Sequence, residues 1–321
     1  MSELKKLYKK VNGTQQLKQY AKSRVLFFAL VEALLLGVSK KSLEILRLAV
    51  DNKIFKRLKK KNKDFIAEYV REHEADNLIH EHANTIWTIW LQGMEQAPEV
   101  VKKCYSSMKR NMPDKEIVVI TDDNYGDYVQ FPDYIMEKYE KGIISKVHFS
   151  DLLRIELLSK YGGTWLDGTV YCSGPVKQKY MLDSDLFLYQ NLKPGADGQC
   201  SVISSWLMTA SSNNKIILLT RALLHRYWSK YNYAVDYFIL HYFFQMAIET
   251  YSEEWNKVVP FSNSVPHILL LRLFEKYDEN IWSEVSEMTS FHKLSYKFEK
   301  EQAKKKGTYY DVILGREEET V

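Results

Sequence analysis

Residues 146–175 read KVHFSDLLRIELLSKYGGTWLDGTVYCSGP and leave little choice of local structure. Phe149, Leu152, Leu153, Leu157, Leu158 and Tyr161 recur at helical spacing. Ser150 or Asp151 is the expected N-cap, because a short side-chain oxygen can accept from the unpaired amides of a first turn. Gly162 and Gly163 end the helix, since glycine enters left-handed backbone space without a Cβ penalty. Thr164, Trp165 and Leu166 suit a strand. Asp167 closes it, and after Gly168 and Thr169 a second strand follows.

This order of elements has a chemical use. Residues two apart on an extended segment point the same way, so Asp167 and Thr169 share a face. A hard divalent cation takes oxygen ligands, often one or two carboxylates together with substrate phosphates. Gly168 between them lets a diphosphate come close to the backbone. Asp151 and Arg154 are three apart and share a helix face. A carboxylate there can accept from ribose or sugar hydroxyls, and an arginine can grip phosphate through its fork. The plainer alternative is a helix ion pair and a turn aspartate.

Ser150-Asp151-x-x-Arg154 followed by Tyr161-Gly162-Gly163-x-Trp165-x-Asp167 resembles the sugar-nucleotide site of glycosyltransferases with a DXD motif. Within these it is most similar to the capsular polysaccharide synthesis type. That group is related to the yeast initiating mannosyltransferases and, more remotely, to the glucosylating clostridial toxins. The resemblance covers residues 80–300 or so. It implies an α/β fold, a GT-A-like Rossmann-type mixed sheet flanked by helices. It also implies transfer of a sugar, with retention, from a UDP- or GDP-sugar to a glycan or lipid-linked glycan, assisted by Mn²⁺ or Mg²⁺.

The resemblance further implies roles for particular residues. Asp151, Arg154 and Asp167 are the expected catalytic set. Asp167, Thr169 and His292 are the expected metal ligands, with Thr169 where the DXD motif usually has its second aspartate. His292 comes from Phe291-His-Lys-Leu-Ser-Tyr-Lys297, similar to a segment expected to fold over the donor, and Lys297 would neutralise the leaving group. Trp90 would cover the base. Gly163, Trp206, Asn213 and Asp236 complete the expected substrate-binding set. For Trp90 and Trp206 the alternative is core packing, and for Asn213 a helix N-cap. His241 reads as a core histidine with a satisfied partner.

Elsewhere strands and helices alternate, as in a βαβ sheet. Residues 84–93 read as a first strand and loop, and residues 116–121 as a second, buried one. Asp122, Asp123 and Asn124 read as an Asx-rich turn. Further helices are expected at 64–82, 132–141, 214–230 and 233–250, with a loop around Pro194 and Gly198. No Gly-x-Gly-x-x-Gly or Walker loop is present, so dinucleotide and P-loop enzymes lose support. Cys104, Cys172 and Cys200 are sparse and in no metal-ligand spacing, which suits a reducing compartment.

Charge divides the chain sharply. Residues 1–63 hold 17 Lys and Arg against four acidic residues, whereas the whole chain is only +4. A solvated face on a helical subdomain is one reading of this segment; an anionic membrane surface is its expected partner, and nucleic acid is not. The apolar run at 25–37 is too short to span a bilayer and contains Glu32. No signal peptide stands out, so a cytoplasmic protein, peripheral at the inner leaflet, is expected. The expected units are a basic helical region (1–80), a catalytic domain (81–300) and a charged, frayed tail (301–321). Two other functions fit less of the pattern: a non-catalytic sugar-nucleotide or glycan-binding protein, and a membrane-associated scaffold.

Overall fold

The structure is a computed structural model and describes residues 13–37, 39–74, 79–193 and 200–315. The residues of the Pro194 loop, and the last six of the chain, lie outside the described residues. Five strands form the main sheet: β1 (Thr85–Ile89), β2 (Glu116–Ile120), β3 (Gly163–Asp167), β5 (Leu186–Gln190) and β6 (Ile203–Ala210). Their order is β2-β1-β3-β6-β5. β1, β2 and β3 are parallel, while β6 runs antiparallel to both β3 and β5. A separate antiparallel pair joins β4 (Val170–Cys172) to β7 (Phe291–Lys293). The fold is therefore the mixed α/β sheet expected from the sequence.

Strand alternation divides the core into two layers. Trp87, Trp165, Leu188 and Met208 project to one face, and Ile86, Leu166, Phe187 and Leu207 belong to the cluster on the other. Helices of eight residues or more are numbered here as α1 (Gly13–Lys22), α2 (Leu26–Leu36), α3 (Lys40–His73), α4 (Glu99–Asn111), α5 (Asp133–Glu140), α6 (Lys146–Tyr161), α7 (Lys215–Lys230), α8 (Ile239–Thr250) and α9 (Glu279–Met288). α5 to α8 cover the Trp165 face, and Met108 of α4 packs on the other. Tyr20, Ala29, Val50, Ile54 and Phe55 join the Trp165-side cluster, so the N-terminal helices share that core.

Several local details differ from expectation. α6 starts earlier, with Ser145 as its cap: the Ser145 hydroxyl accepts from the His148 amide at 3.3 Å. Ser150 and Asp151 lie inside the helix, so the cap pattern there was coincidental. β2 is an edge strand and only Ile120 is fully buried on it. α3 ends at His73, short of residue 82. α8 starts at Ile239, because residues 231–238 form a loop. The tail is not frayed up to residue 315: Tyr309, Ile313 and Leu314 are buried, and Lys103 donates to the Leu314 carbonyl at 2.7 Å.

The two glycines after α6 set the distance between helix and sheet. Gly162 has φ +71° and Gly163 φ +93°. A Cβ on Gly163 would lie 2.5 Å from the Thr85 carbonyl, and one on Gly162 would lie 2.7 Å from that of Glu81. β3 can lie beside β1 only because Gly163 has no side chain, and Gly162 likewise leaves room for the backbone of Glu81 and Ser212.

Candidate functional site

The strand order reverses between β1 and β3. β1 connects through α4 to β2 on one side, and the chain then returns to place β3 on the other. A crevice opens at the C-terminal ends of strands at such a switch point. Here it is a cleft of about 660 Å³, within the size range of small-ligand sites. Its floor carries Asp167 at the end of β3 and Trp90 just past β1. α6 supplies Asp151 and Arg154, and β7 with its following loop supplies Lys293, Tyr296 and Lys297.

Arg154 sits at the centre of the charge network. One guanidinium nitrogen lies 3.3 Å from Asp167 Oδ1 and 3.6 Å from Asp151 Oδ1. The other terminal nitrogen donates to the Ser205 carbonyl at 2.5 Å. The guanidinium lies 4.8 Å from the centre of the Trp165 ring, and the Trp165 indole donates to Asp167 Oδ1 at 3.0 Å. On its other side Asp167 meets Lys293, whose ammonium lies 3.1 Å from Oδ2 and also donates to the Thr169 hydroxyl.

The two carboxylates respond oppositely to these surroundings. Burial works against the charge of Asp167, but Lys293 and Arg154 more than offset it and hold its pKa below the ordinary value. Asp151 has only Arg154, and burial with the neighbouring Asp167 charge pushes it up to about 7. Near neutral pH Asp151 is thus shared between the acid, which donates, and the carboxylate, which accepts. Asp167 is a fixed charge.

Trp90 lies half-buried on the cleft wall, edge-on to Tyr296 with ring centres 5.6 Å apart. Gly168 passes beneath it, where a Cβ would lie 3.6 Å from the indole. Trp87, three residues earlier, is a core residue whose indole donates to the Gly162 carbonyl.

The structure brings together Trp90, Asp151, Arg154, Asp167, Thr169 and Lys297. It places the other expected residues elsewhere. Gly163 is buried at the start of β3, at the end of the strand away from the cleft. Trp206 packs in the cluster on the opposite sheet face, stacked on Tyr189 at 4.6 Å, with its indole donating to Asn263. Asn213 sits in the turn before α7 and donates to the Ile79 carbonyl, while the cap of α7 is Asn214. Asp236 lies before α8, where it accepts from the Phe238 amide and from Gln19 of α1. His292 is fully buried against Ser173 and Trp282, because neighbours on β7 point to opposite sides and its position turns away from the cleft.

That last placement bears on the expected Mn²⁺ or Mg²⁺. His292 is not beside Asp167, and an ammonium already bridges Asp167 and Thr169. Two unit charges 4 Å apart interact by about 4 kcal/mol at an effective dielectric near 20, so a dication beside Lys293 would be strongly repelled. Among the described residues no group of three or more His, Cys, Asp and Glu could hold a metal ion. The side-chain oxygens left for such an ion are those of Asp167 and Thr169, and Lys293 already engages both.

Lys293 and His241 are among the cleft residues that were not anticipated. Lys293 stands in the quoted 291–297 segment, but only the register with β4 reveals which of its residues faces the cleft. His241 of α8 lines the cleft, and its Nδ1 has no hydrogen-bond partner, unlike the satisfied core histidine expected. Burial and the nearby Arg154 drive its pKa down to about 3, so it is neutral.

A family model described as capsular polysaccharide synthesis protein matches residues 38–313. The chain belongs to this family. The match begins just before α3 and includes every cleft residue, whereas α1 and α2 precede it. Among solved structures, the PaToxG glycosyltransferase is similar to this family member, with a TM-score of 0.37 and 13% identity. The alignment covers 82% of this chain and 96% of that one. No curated protein matches.

Proposed function

We propose that this family member is a GT-A-like glycosyltransferase that moves a sugar from a nucleoside diphosphate sugar to a hydroxyl of a glycan or lipid-linked glycan. The observation that carries this reading is the pairing of a fixed carboxylate, Asp167, with Arg154 and Lys293 at the mouth of the β1–β3 crevice. Lys146 and Lys297 also line this cleft, so cations outnumber carboxylates there. Such a site suits a diphosphate whose negative charge grows as the sugar departs.

Each residue then has a task. Trp90 gives the base a stacking face. Asp151 orients ribose or sugar hydroxyls, donating or accepting as its protonation near pH 7 allows. Arg154 is held by Asp151, Asp167 and Ser205 and keeps the cleft floor in shape. The cations stabilise the leaving diphosphate. Retention of configuration belongs to this proposal through the sequence resemblance, and no side chain is assigned as nucleophile.

Calorimetry with UDP- and GDP-sugars tests the binding half of the reading. One donor class binds wild type, and Trp90→Ala weakens it by roughly tenfold or more, since base–aromatic stacking contributes about 1–3 kcal/mol. Unchanged affinity in that variant would remove Trp90 from the donor site.

The N-terminal helices suggest where the enzyme works. Phe27, Leu30, Val31, Leu34 and Leu35 form a helical stripe on α2, with Phe27 82% and Leu34 86% exposed. The opposite side of the helix buries Ala29. Ile45 and Leu48 of the lysine-rich α3 are exposed as well. No helix among the described residues is long and apolar enough to cross a membrane. We propose that α2 lies in the surface of an anionic leaflet, with α3 supplying charge at about 1 kcal/mol per basic residue near the lipid. Flotation with phosphatidylserine vesicles reads this directly. Wild type floats, and a Phe27→Ser, Leu34→Ser, Leu35→Ser triple variant stays at the bottom. Equal flotation of the two proteins would contradict the docking face.

A further inference from the structure

β7 is short, yet its backbone is tied to the turn that carries Asp167. Val170 lies opposite Lys293 in the register, and the Leu294 amide donates to the Thr169 carbonyl at 2.9 Å. These contacts set where the Lys293 side chain begins, and its ammonium ends between Asp167 Oδ2 and the Thr169 hydroxyl. Those are the two side-chain oxygens that a cation bound at this turn would use. The second oxygen of Asp167 is already taken by Arg154 and Trp165. The Lys293 side chain keeps 19% of its surface exposed, against 7% for Arg154, so it is the more reachable from the cleft.

We propose that Lys293 is the resident cation of this transferase, holding the leaving diphosphate from the position at Asp167 and Thr169 that a divalent ion would occupy. The inference rests on the transferase reading above. A lysine ammonium is a compact point charge that binds phosphate well, and here Asp167 aims it. The reaction breaks the bond between the anomeric carbon and the β-phosphate oxygen and forms one to the acceptor oxygen. The bonding pair stays on the phosphate oxygen, so the diphosphate gains one negative charge, and the acceptor hydroxyl loses its proton to water. Lys293 stays protonated throughout and balances the new charge. No reactant beyond donor and acceptor is needed.

The test measures binding of UDP and GDP by calorimetry in EDTA and in excess Mn²⁺, together with donor turnover in both. The proteins are wild type, Lys293→Met and Lys293→Arg, with melting curves to show that each is folded. Wild type binds one of the two diphosphates with the same affinity in EDTA and in Mn²⁺, and turns over its donor in EDTA. Lys293→Met weakens that diphosphate by roughly tenfold or more, as expected for losing a charge-assisted hydrogen bond, but barely changes binding of the parent nucleoside. Its turnover falls by on the order of 10²-fold. Lys293→Arg, which keeps the charge, restores most of the diphosphate affinity. Diphosphate binding by wild type that requires Mn²⁺, or equal binding by wild type and Lys293→Met in EDTA, overturns the role of Lys293 and leaves the transferase reading intact. Binding of neither diphosphate under either condition overturns both.

Discussion

Asp167→Asn is expected to lower donor turnover by on the order of 10²–10³-fold, the scale seen when one preorganised electrostatic element is removed from an active site. Asparagine keeps the shape of the side chain but not its charge. Lys293 then loses its anionic partner, and Arg154 keeps Asp151 and the Ser205 carbonyl. The ammonium is no longer aimed, although both cations remain. Steady-state kinetics should therefore show the loss mainly in kcat, with a smaller change in donor affinity.

The same variant has a signature in stability. Asp167 has a folded pKa below its ordinary value, so its charged form stabilises the fold at every pH above about 4. That contribution is lost only as pH falls through the depressed folded value. The gap in melting temperature between wild type and Asp167→Asn should close as pH falls below about 4. A gap that persists unchanged well below pH 4 would mean that the charge is not stabilising.

Arg154→Met is expected to cost more stability than any other single change in the cleft. The buried guanidinium serves Asp151, Asp167 and the Ser205 carbonyl at once and lies over Trp165. Methionine fills much of the volume but leaves Asp151 buried without its cation and Asp167 with Lys293 alone. Removing one member of a buried ion pair typically costs about 3–5 kcal/mol. For a chain of this size that lowers Tm by roughly 4–7 °C. Lysine should not rescue the site, because a point charge cannot replace the fork or its stacking.

Its pH dependence has the opposite sign to that of Asp167→Asn. Asp151 already sits at about 7, so its neutral form is the one the fold prefers. Without Arg154 its charged form is less favourable still. Stability is then greatest near the unfolded carboxylate pKa and declines as pH rises toward the folded value. The melting gap between wild type and Arg154→Met should widen as pH rises above about 7. A gap independent of pH would separate the role of Arg154 from that of Asp151.

Much of this arrangement is legible in the sequence because it is local. The spacing of Phe149 to Leu158, the Gly162-Gly163 pair and the run Thr164 to Asp167 each specify their own geometry. Together they bring Asp151, Arg154 and Asp167 onto one wall. Trp90 was legible only through the resemblance of its segment, since a single tryptophan by a strand reads equally well as core. Residues that depend on long-range pairing were harder. Whether His292 or Lys293 faces the cleft turns on the β4–β7 register, and a shift of one residue exchanges them. Trp206 lies on a strand whose inner face depends on an irregularity in the pairing with β5. Asp236 precedes its helix, and burial against α1 could not be read from its neighbours. Ser150 and Asp151 mimicked a cap although the helix begins at Lys146, because the polar groups that line a cleft use the same side chains as caps.

The most direct measurement is release of free nucleoside diphosphate from a panel of UDP- and GDP-sugars, followed by mass spectrometry for wild type and Asp167→Asn. Water serves as a slow acceptor, so the glycan need not be known. The account predicts that wild type consumes one donor and that the variant consumes it at most at about one-hundredth of that rate. A donor that binds wild type but is never cleaved, or is cleaved equally by Asp167→Asn, would contradict it.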